Sequence, residues 1–333
     1  MTIVIAILMF TFLVLIHELG HFLTAKKLGV RAYELAIGMG PKIFGKKYKD
    51  TEYTLRAIPF GAYVRFGDEE DSLFEEGDNF MNQSPIDRMK IIIMGPLVNL
   101  VAALLIMILV MFMMGVPMNK IGDLAPGMPA IEAGIQVGDR IIEIDGEEIT
   151  DWQGVVEGIS EYKSGNIQVV VQTPDEQVKN LELTPIEKDG KLMIGITPAM
   201  EKNLGKSVVN GTQATARMST MMLDIVKQLF TGKANLDEFS GPVGIVSIVK
   251  DAASTGLINI LYLTAVLSLN LGILNLLPIP ALDGSKILIY GFEAITGKPM
   301  NRNLEMRLTM IGFALLMAFT LFITFKDIMK LIG

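Results

Sequence analysis

Four long runs of apolar residues set the pattern of this chain. A helix needs about 20 residues to cross the hydrocarbon core of a bilayer, and each run is close to or above that length. We therefore predict membrane-spanning helices at residues 1–25, 91–115, 257–282 and 308–325. The pattern indicates a polytopic α-helical membrane protein with about four transmembrane helices.

The first run could instead be a signal peptide, because it stands at the start of the sequence. A signal peptide begins with basic residues and ends in a small-residue cleavage site. This run lacks both features, and the first basic residue of the chain is Lys26. We therefore predict that the segment is retained as a membrane span.

A second pattern, with short alternating segments, lies between the first two spans. Residues 33–67 contain helix-breaking glycines and Pro41, and the segments 53–56 and 61–66 have the composition of β-strands. Non-helical backbone is tolerated at membrane depth where protein or water covers it. We expect a membrane-associated β-hairpin or sheet here; the alternative is a cytoplasmic hairpin without a role in substrate binding.

Residues 116–200 alternate short apolar segments with turns, which is typical of a small mixed α/β domain. The segments 141–144 and 168–171 are predicted strands, and Asp145-Gly146 is a turn signal. Residues 120–200 hold 6 basic and 15 acidic residues, so this segment has a net charge of −9, whereas the rest of the chain has +2. The pattern predicts one domain inserted between the second and third spans.

The segments 131–135 and 138–140 give this domain a specific resemblance. Together with the predicted strands they resemble the PDZ domains of bacterial proteases. Such a domain takes an extended peptide by adding it to the edge of a sheet. The resemblance implies a peptide-binding groove, and we expect the strand at 120–124 to line it.

The region 201–256 links this domain to the third span. Its amphipathic stretch 218–230 either lies on the outer membrane surface or packs as a helix that connects the domains. We thus divide the chain into an N-terminal membrane part, a PDZ domain, a linker region and a C-terminal membrane part, at residues 1–115, 116–200, 201–256 and 257–333.

Basic residues predict the orientation in the membrane. Eleven lysines and arginines lie within residues 26–90, and four lie between the third and fourth spans. Short loops rich in lysine and arginine stay in the cytoplasm. We expect both loops to be cytoplasmic, and both termini and the region 116–256 to be outside, so that the PDZ domain is extracytoplasmic.

The amino-acid composition excludes several kinds of site and partner. Half of the residues are hydrophobic and the formal net charge is −7, which suits a membrane protein with a soluble part. The sequence has no cysteine, which excludes disulfides, thiolate metal ligands and a cysteine nucleophile. It has no basic patch interleaved with aromatic residues, so we expect no nucleic-acid partner.

The two histidines of the sequence stand together in the first predicted span, in His17-Glu18-Leu19-Gly20-His21. Residues four apart share one face of a helix, so both imidazoles can bind one metal ion. Glu18 could then take a proton from an attacking water. The alternative is a buried histidine pair without a metal. A carboxylate inside a span costs roughly 2.5–3.5 kcal/mol, which favours a functional site.

A catalytic zinc ion usually has three protein ligands. Because the sequence has no further histidine and no cysteine, the third ligand must be a carboxylate, and Glu34, Asp283 and Glu293 are the candidates near the membrane core. We favour Asp283, since Pro278 and Pro280 end regular helix just before it. A partly unwound segment can turn that side chain toward the histidines.

These motifs together resemble the bacterial site-2 proteases, the intramembrane zinc metalloproteases of the regulator-of-sigma-factor type. The resemblance rests on H-E-x-x-H in the first span and on N-x-x-P-x-P-x-L-D-G at residues 275–284. Residues 95–99, which read G-P-x-x-N, and residues 240–245, which read S-G-P-x-G-I, are similar to further segments of that family. Fuller members carry two PDZ domains, whereas this chain has one.

The resemblance implies a site and a substrate class. It implies one Zn²⁺ ion held by His17, His21 and Asp283, with Glu18 as the catalytic base and Asn275 helping to hold the substrate backbone. Strands within 33–67 would guide an extended substrate. The implied substrates are membrane-spanning proteins, such as anti-sigma factors or signal-peptide remnants. The implied location is the bacterial inner membrane, with the active site toward the cytoplasm.

Two other functions compete with this interpretation. A non-catalytic membrane adaptor could use its PDZ domain to bind peptide tails, but Glu18 and Asp283 would then have no purpose in an apolar setting. A metal transporter is the other possibility. It fits poorly, because the sequence shows no second acidic relay within the spans.

Overall fold

The computed structural model describes residues 1–66, 80–162, 165–188, 190–233 and 239–332. The chain forms two compact units, one made of Met1–Val110 and Gly211–Gly333 and the other of Met111–Asn210. Parts of all four predicted regions lie outside the described residues. They are residues 67–79 of the N-terminal membrane part, residues 163–164 and 189 of the PDZ domain, residues 234–238 of the linker region and residue 333 of the C-terminal membrane part.

The described helices are, in chain order, α1 Thr2–Lys27, α2 Pro85–Met114, α3 Pro129–Glu132, α4 Trp152–Ser160, α5 Leu204–Phe230, α6 Pro242–Thr255, α7 Leu257–Leu276, α8 Asp283–Thr296 and α9 Arg302–Ile332. Helices α1, α2, α7 and the 303–330 part of α9 are long and apolar enough to cross a membrane. The prediction of four apolar helices is therefore confirmed.

The third apolar helix is shorter than predicted. Helix α7 ends at Leu276 rather than at residue 282. A residue that precedes a proline is pushed out of the α conformation, and Leu277, before Pro278, is extended with ψ 147°. The chain then turns through Ala281, which has a positive φ of 78°. A new helix, α8, begins at Asp283, a feature that the sequence pattern had not indicated.

The region between α1 and α2 is β structure, as predicted, but its strands are longer. Strands β1 Ala32–Tyr48 and β2 Thr51–Phe66 pair antiparallel. Gly38 and Gly40 have positive φ and bend β1 back on itself. Leu35 consequently lies opposite both Tyr53 and Val64, and the two long strands behave as four short ones.

Strand β2 packs along α1. The Thr11 hydroxyl donates a hydrogen bond to the Pro59 carbonyl oxygen at 3.2 Å. The rings of Phe10 and Phe60 are 6.0 Å apart between centroids. Thr11 lies near the middle of α1, so this part of β2 runs beside the middle of a helix that is apolar enough to span a membrane.

The second unit is built on a sheet. Its strands are β3 Val116–Leu124, β4 Arg140–Ile144, β5 Glu147–Glu148, β6 Ile167–Gln172, β7 Val178–Leu183, β8 Ile186–Lys188, β9 Lys191–Met193 and β10 Ile196–Glu201. The main sheet has the order β10-β3-β4-β6-β7, with β5 beside β4, and β8 pairs with β9. The predicted strands 141–144 and 168–171 are present, and Asp145 and Gly146 form the expected turn with positive φ.

That the strand at 120–124 lines the peptide groove stays a prediction. Strand β3 lies between β10 and β4 in the sheet, and its ladder with β4 has one residue pair, Lys120 and Arg140. A cleft of about 540 Å³ lies between α4 and residues 190–196 and is a second candidate. The sequence pattern showed where strands occur, but strand order depends on pairings between distant segments.

The predicted amphipathic stretch 218–230 belongs to the longer helix α5. Met218 and Met222 pack against a cluster of buried residues formed by Ala103, Leu269 and Ile273 of α2 and α7. This part of the linker region is therefore a packed helix, and of the two alternatives the structure favours that one. The packing joins α5 to the helices of the first unit.

Candidate metal centre

The structure brings His17, His21 and Asp283 together. His17 Nε2 lies 3.0 Å from Asp283 Oδ2, and His21 Nε2 lies 3.4 Å from the same oxygen. The two Nε2 atoms are 3.2 Å apart. Helix α1 supplies both imidazoles from one face, and Asp283 is the first residue of α8. Three potential ligand atoms thus form a small triangle.

The triangle fits a zinc ion. Atoms that each lie roughly 2.0–2.2 Å from a tetrahedral zinc ion are about 3.3 Å from one another, close to the distances between the three atoms. Asp283 Oδ2 is also buried without a hydrogen bond of acceptable geometry to the described residues, although two ring nitrogens are near it. Two imidazoles and one carboxylate are a usual ligand set for catalytic zinc.

Two glycines allow α2 to approach this triangle closely. A Cβ atom added to Gly20 would overlap the carbonyl oxygen of Met94. A Cβ atom on Gly95 would overlap the imidazole of His21 and lie 3.0 Å from Cε1 of His17. Because α1 and α2 meet at these glycines, the histidine rings are packed against the backbone of α2.

The second nitrogen of each ring is held from α2. His21 Nδ1 lies 2.9 Å from the carbonyl oxygen of Ile91, and His17 Nδ1 lies 3.3 Å from Nδ2 of Asn99. A partner on Nδ1 orients the ring and leaves Nε2 for a metal. Sequence reasoning did not assign Asn99 any role; its signals were a polar side chain inside an apolar span and the G-P-x-x-N pattern.

Glu18 lies on the same cavity as the three side chains. Its Oε2 accepts a hydrogen bond from the backbone N–H of Val64 at 3.1 Å. The cavity has a volume of about 580 Å³. Helix α9 supplies part of its wall through Glu305, Met306, Thr309 and Met310. The carboxylate next to the first histidine therefore faces a space that a substrate can enter.

Glu34, one alternative third ligand, is engaged elsewhere. It is buried between the strands, where Thr54, Arg56 and Tyr63 donate hydrogen bonds to its carboxylate at 2.5, 2.6 and 3.0 Å. Burial raises the pKa of Glu34, but these hydrogen bonds outweigh it, and the pKa lies below its ordinary value. Glu34 cross-links the β region instead of joining the histidines.

Glu293, the other alternative, is also occupied. Arg88 Nη2 donates a hydrogen bond to Glu293 Oε2 at 2.6 Å, and the backbone N–H of Met300 donates to Oε1 at 2.8 Å. Both charged side chains are buried, and the Arg88 guanidinium stacks on Tyr290. This ion pair ties α8 to the start of α2, so Glu293 anchors the helix that begins with Asp283.

The structure does not bring Asn275 to the metal-site cavity. It is half-buried one residue before the end of α7. It is not among the residues that line the cavity around His17 and Asp283. Its side chain makes no hydrogen bond with the part of the chain that the structure describes. A substrate-binding role for Asn275 is therefore not visible in this arrangement.

Comparisons with known proteins found a family and several relatives that are similar to this chain. The sequence profile of peptidase family M50 matches residues 5–319. A Clostridium acetobutylicum protein is 37% identical over 331 residues, covering 98% of this chain and 97% of its own length. The regulator of sigma-W protease RasP from Bacillus subtilis is 31% identical over 418 positions, covering 99% of each chain. That alignment is longer than this chain, so RasP has internal residues that this chain lacks.

Solved structures match a smaller part of the chain. The PDZ domain of an SdrC-like protein from Listeria monocytogenes is 29% identical and covers 26% of this chain and 87% of its own, with a TM-score of 0.20. The corresponding PDZ domain from Listeria innocua is 27% identical and has a TM-score of 0.21.

Proposed function

This chain belongs to peptidase family M50, the site-2 proteases, and on that premise we propose that His17, His21 and Asp283 hold its zinc ion and that Glu18 is the catalytic base. The chain is a zinc-dependent metalloendopeptidase of the membrane. The observation that carries the residue assignment is the triangle of His17 Nε2, His21 Nε2 and Asp283 Oδ2, with sides of 3.0–3.4 Å.

Each of these side chains has a distinct task. A zinc ion, when bound, lowers the pKa of water toward 7 and polarises a carbonyl group. Glu18 takes the proton from the attacking water and gives it to the leaving nitrogen of the peptide. Glu18 is next to His17 in the chain and faces the shared cavity, which suits both transfers. Val64 holds the Glu18 carboxylate through its backbone N–H.

The substrate is a membrane-spanning segment that has lost its helical hydrogen bonds. A helix keeps its carbonyl groups bonded internally, so it must unwind before attack. The backbone N–H of Val64, on the edge of β2, donates a hydrogen bond to the carboxylate of Glu18. This position beside the proposed base supports a role for the β2 edge in holding the unwound substrate. An extended substrate that pairs there would compete with Glu18 for this donor. Anti-sigma factors and signal-peptide remnants are the substrates that we propose.

An apolar cleft extends the proposed substrate path. Its volume is about 400 Å³, and α1, β2, α6 and α9 line it together with residues 239–241. Three of these elements, α1, β2 and α9, also contribute to the lining of the catalytic cavity. From Phe10 in the cleft to His17, α1 advances about 10 Å. We propose that the cleft takes a large apolar side chain of the substrate. Trp in place of Val246, which lines the cleft, should raise KM for a complete membrane segment and leave cleavage of a short peptide unchanged.

The finer topology is also part of this proposal. Lys26 and Lys27 follow His21 at the end of α1, which supports an active site toward the cytoplasm of a bacterial inner membrane. We retain the division at residues 115, 200 and 256. The domain 116–200 is then extracytoplasmic, and its cleft beside α4 takes peptide. We propose that it acts as a size filter for substrates whose outer domain has been trimmed.

The test is the substitution Glu18→Gln in the full chain, purified and placed in lipid vesicles with a membrane-embedded reporter segment. We expect the zinc content to stay at the wild-type level and the cleavage rate to fall by about 10²–10⁴-fold. Glu52→Gln is the matched control, because Glu52 lies on β2 and pairs with Lys42 away from the histidines. Cleavage by Glu18→Gln within tenfold of wild type would show that Glu18 is not the base.

If the chain were a non-catalytic membrane adaptor, the opposite result would be expected. The adaptor function requires neither zinc nor Glu18 for peptide binding, so all three variants His17→Ala, Glu18→Gln and Asp283→Ala would keep the full function. Loss of substrate cleavage with intact peptide binding at the PDZ cleft would exclude it.

A further inference from the structure

Asn99 is the most completely buried polar side chain next to the metal site. It lies on α2, inside an apolar helix, with 0% of its surface exposed. The Ser268 hydroxyl of α7 donates a hydrogen bond to the backbone oxygen of Asn99 at 2.8 Å. Its side-chain amide lies 3.3 Å from His17 Nδ1. Asn99 therefore stands where α1, α2 and α7 meet.

One atom of this amide lacks a partner. Asn99 Oδ1 is buried without a hydrogen bond to the described residues, while Nδ2 faces the ring of His17. The oxygen and nitrogen of an amide have almost the same shape, and their placement follows from the hydrogen bonds around them. A half-turn of the amide exchanges the two atoms and brings Oδ1 to His17 Nδ1 at the same distance.

Zinc binding decides between the two orientations. A histidine that binds a metal through Nε2 carries its proton on Nδ1, and that N–H requires an acceptor. We propose that the side-chain oxygen of Asn99 accepts this hydrogen bond and thereby fixes His17 in its zinc-binding tautomer. The inference rests on the proposed function, since it takes His17 as a ligand. Asn99 is a positioning residue, because it acts through His17.

His21 shows why this position matters. Its Nδ1 faces the backbone oxygen of Ile91, an acceptor that no substitution of the side chain removes. His17 depends instead on a side chain. An amide also suits the apolar interior, because it carries no charge. It can donate to an unprotonated Nδ1 before zinc arrives and accept from Nδ1–H afterwards.

The experiment compares zinc affinity in three variants of the full chain. The protein is purified in detergent, stripped of metal with a chelator, and titrated with Zn²⁺ against a chromophoric competitor. Asn99→Leu removes both polar atoms at similar size, and we expect about 10–100-fold weaker zinc binding. Asn99→Asp keeps an acceptor, and we expect affinity within a few-fold of wild type. Ser268→Ala, which leaves the amide in place, should change affinity by less than about twofold.

The outcomes separate this inference from the zinc site itself. Wild-type zinc affinity in Asn99→Leu would overturn the role of Asn99. Equal losses of affinity in Asn99→Leu and Asn99→Asp would also overturn it, because they would show that this position needs a hydrogen-bond donor rather than an acceptor. If Asn99→Leu fails to fold, Asn99→Ala, which also removes both polar atoms, takes its place in the comparison. His17→Ala serves as the reference: unchanged zinc binding there would refute the ligand assignment rather than the role of Asn99.

Discussion

The two units of the molecule bury different kinds of side chain. Four of the polar side chains that the first unit buries, those of His17, Glu34, Asn99 and Glu293, bond to other side chains, some distant in sequence. Others in the same unit, such as Thr51, bond to backbone groups. The second unit has an isoleucine- and valine-rich core. Its buried polar side chains in the described residues bond to backbone groups, as with Asn119 and the carbonyl oxygens of Ile141 and Ile149.

This difference indicates that the first unit holds the chemistry. In the second unit such bonds join side chains to the backbone of strands and turns, so their effect is on stability. Polar side chains that bond to one another fix mutual positions, which a catalytic site requires. Substitutions in the two units should therefore separate zinc binding from folding, and the following predictions test that separation.

Asp283→Ala should have the largest effect on chemistry. It removes one of three proposed ligands. Loss of a hydrogen-bond partner of a ligand weakens metal binding by up to about 100-fold, and we expect a larger loss of zinc affinity here. Cleavage should become undetectable. Mass spectrometry measures the zinc content, and a membrane-embedded reporter segment measures the cleavage. Asp87→Ala, at an exposed ion pair of α2, is the control. Full zinc occupancy in Asp283→Ala would point to another ligand.

Gly95→Ala should disturb the site while leaving all three proposed ligand residues in the sequence. The added methyl group meets the His21 ring, which must move. A displacement near 1 Å costs catalysis about 100-fold, and overpacking destabilises the fold by about 1–3 kcal/mol. Gly291→Ala in α8 is the matched control, since its new methyl group meets no atom closer than 4.0 Å. Equal behaviour of the two variants in cleavage and thermal unfolding would contradict the close packing.

Ile141→Ala should affect the second unit alone. Ile141 is fully buried in that core, and its truncation costs about 2–5 kcal/mol. We expect faster hydrogen exchange in β4 and β6, with unchanged zinc content and unchanged cleavage of a short membrane peptide. Val137→Ala, at an exposed position of the same unit, is the control. Loss of zinc in Ile141→Ala would break the separation of the units.

Glu34 should give the smallest effect, seen as a dependence on pH. Its folded pKa lies below the ordinary value of 4.5, so its stabilisation is complete above pH 4.5 and is lost as pH falls through the folded pKa. Proteolysis of the β1–β2 region should therefore accelerate in acid. Glu34→Gln should flatten this dependence, while Glu52→Gln should keep it. An unchanged pH dependence in Glu34→Gln would assign the effect to other groups.

Features that local geometry governs could be predicted from the sequence. The four apolar helices follow from run length, and His17 and His21 share a face because a helix repeats every 3.6 residues. The break before Asp283 follows from the steric effect of Pro278 on Leu277. Each of these features depends on residues only a few positions apart, so the sequence alone predicts them.

The contacts between groups distant in sequence became visible in the folded structure. It placed Asp283 beside the histidines and engaged Glu34 and Glu293 with arginines, although all three are carboxylates in similar surroundings. It brought Asn99 to His17 across 82 positions of sequence, and it put β3 inside the sheet rather than at an edge. These outcomes depend on how helices and strands pack against one another, which no local pattern records.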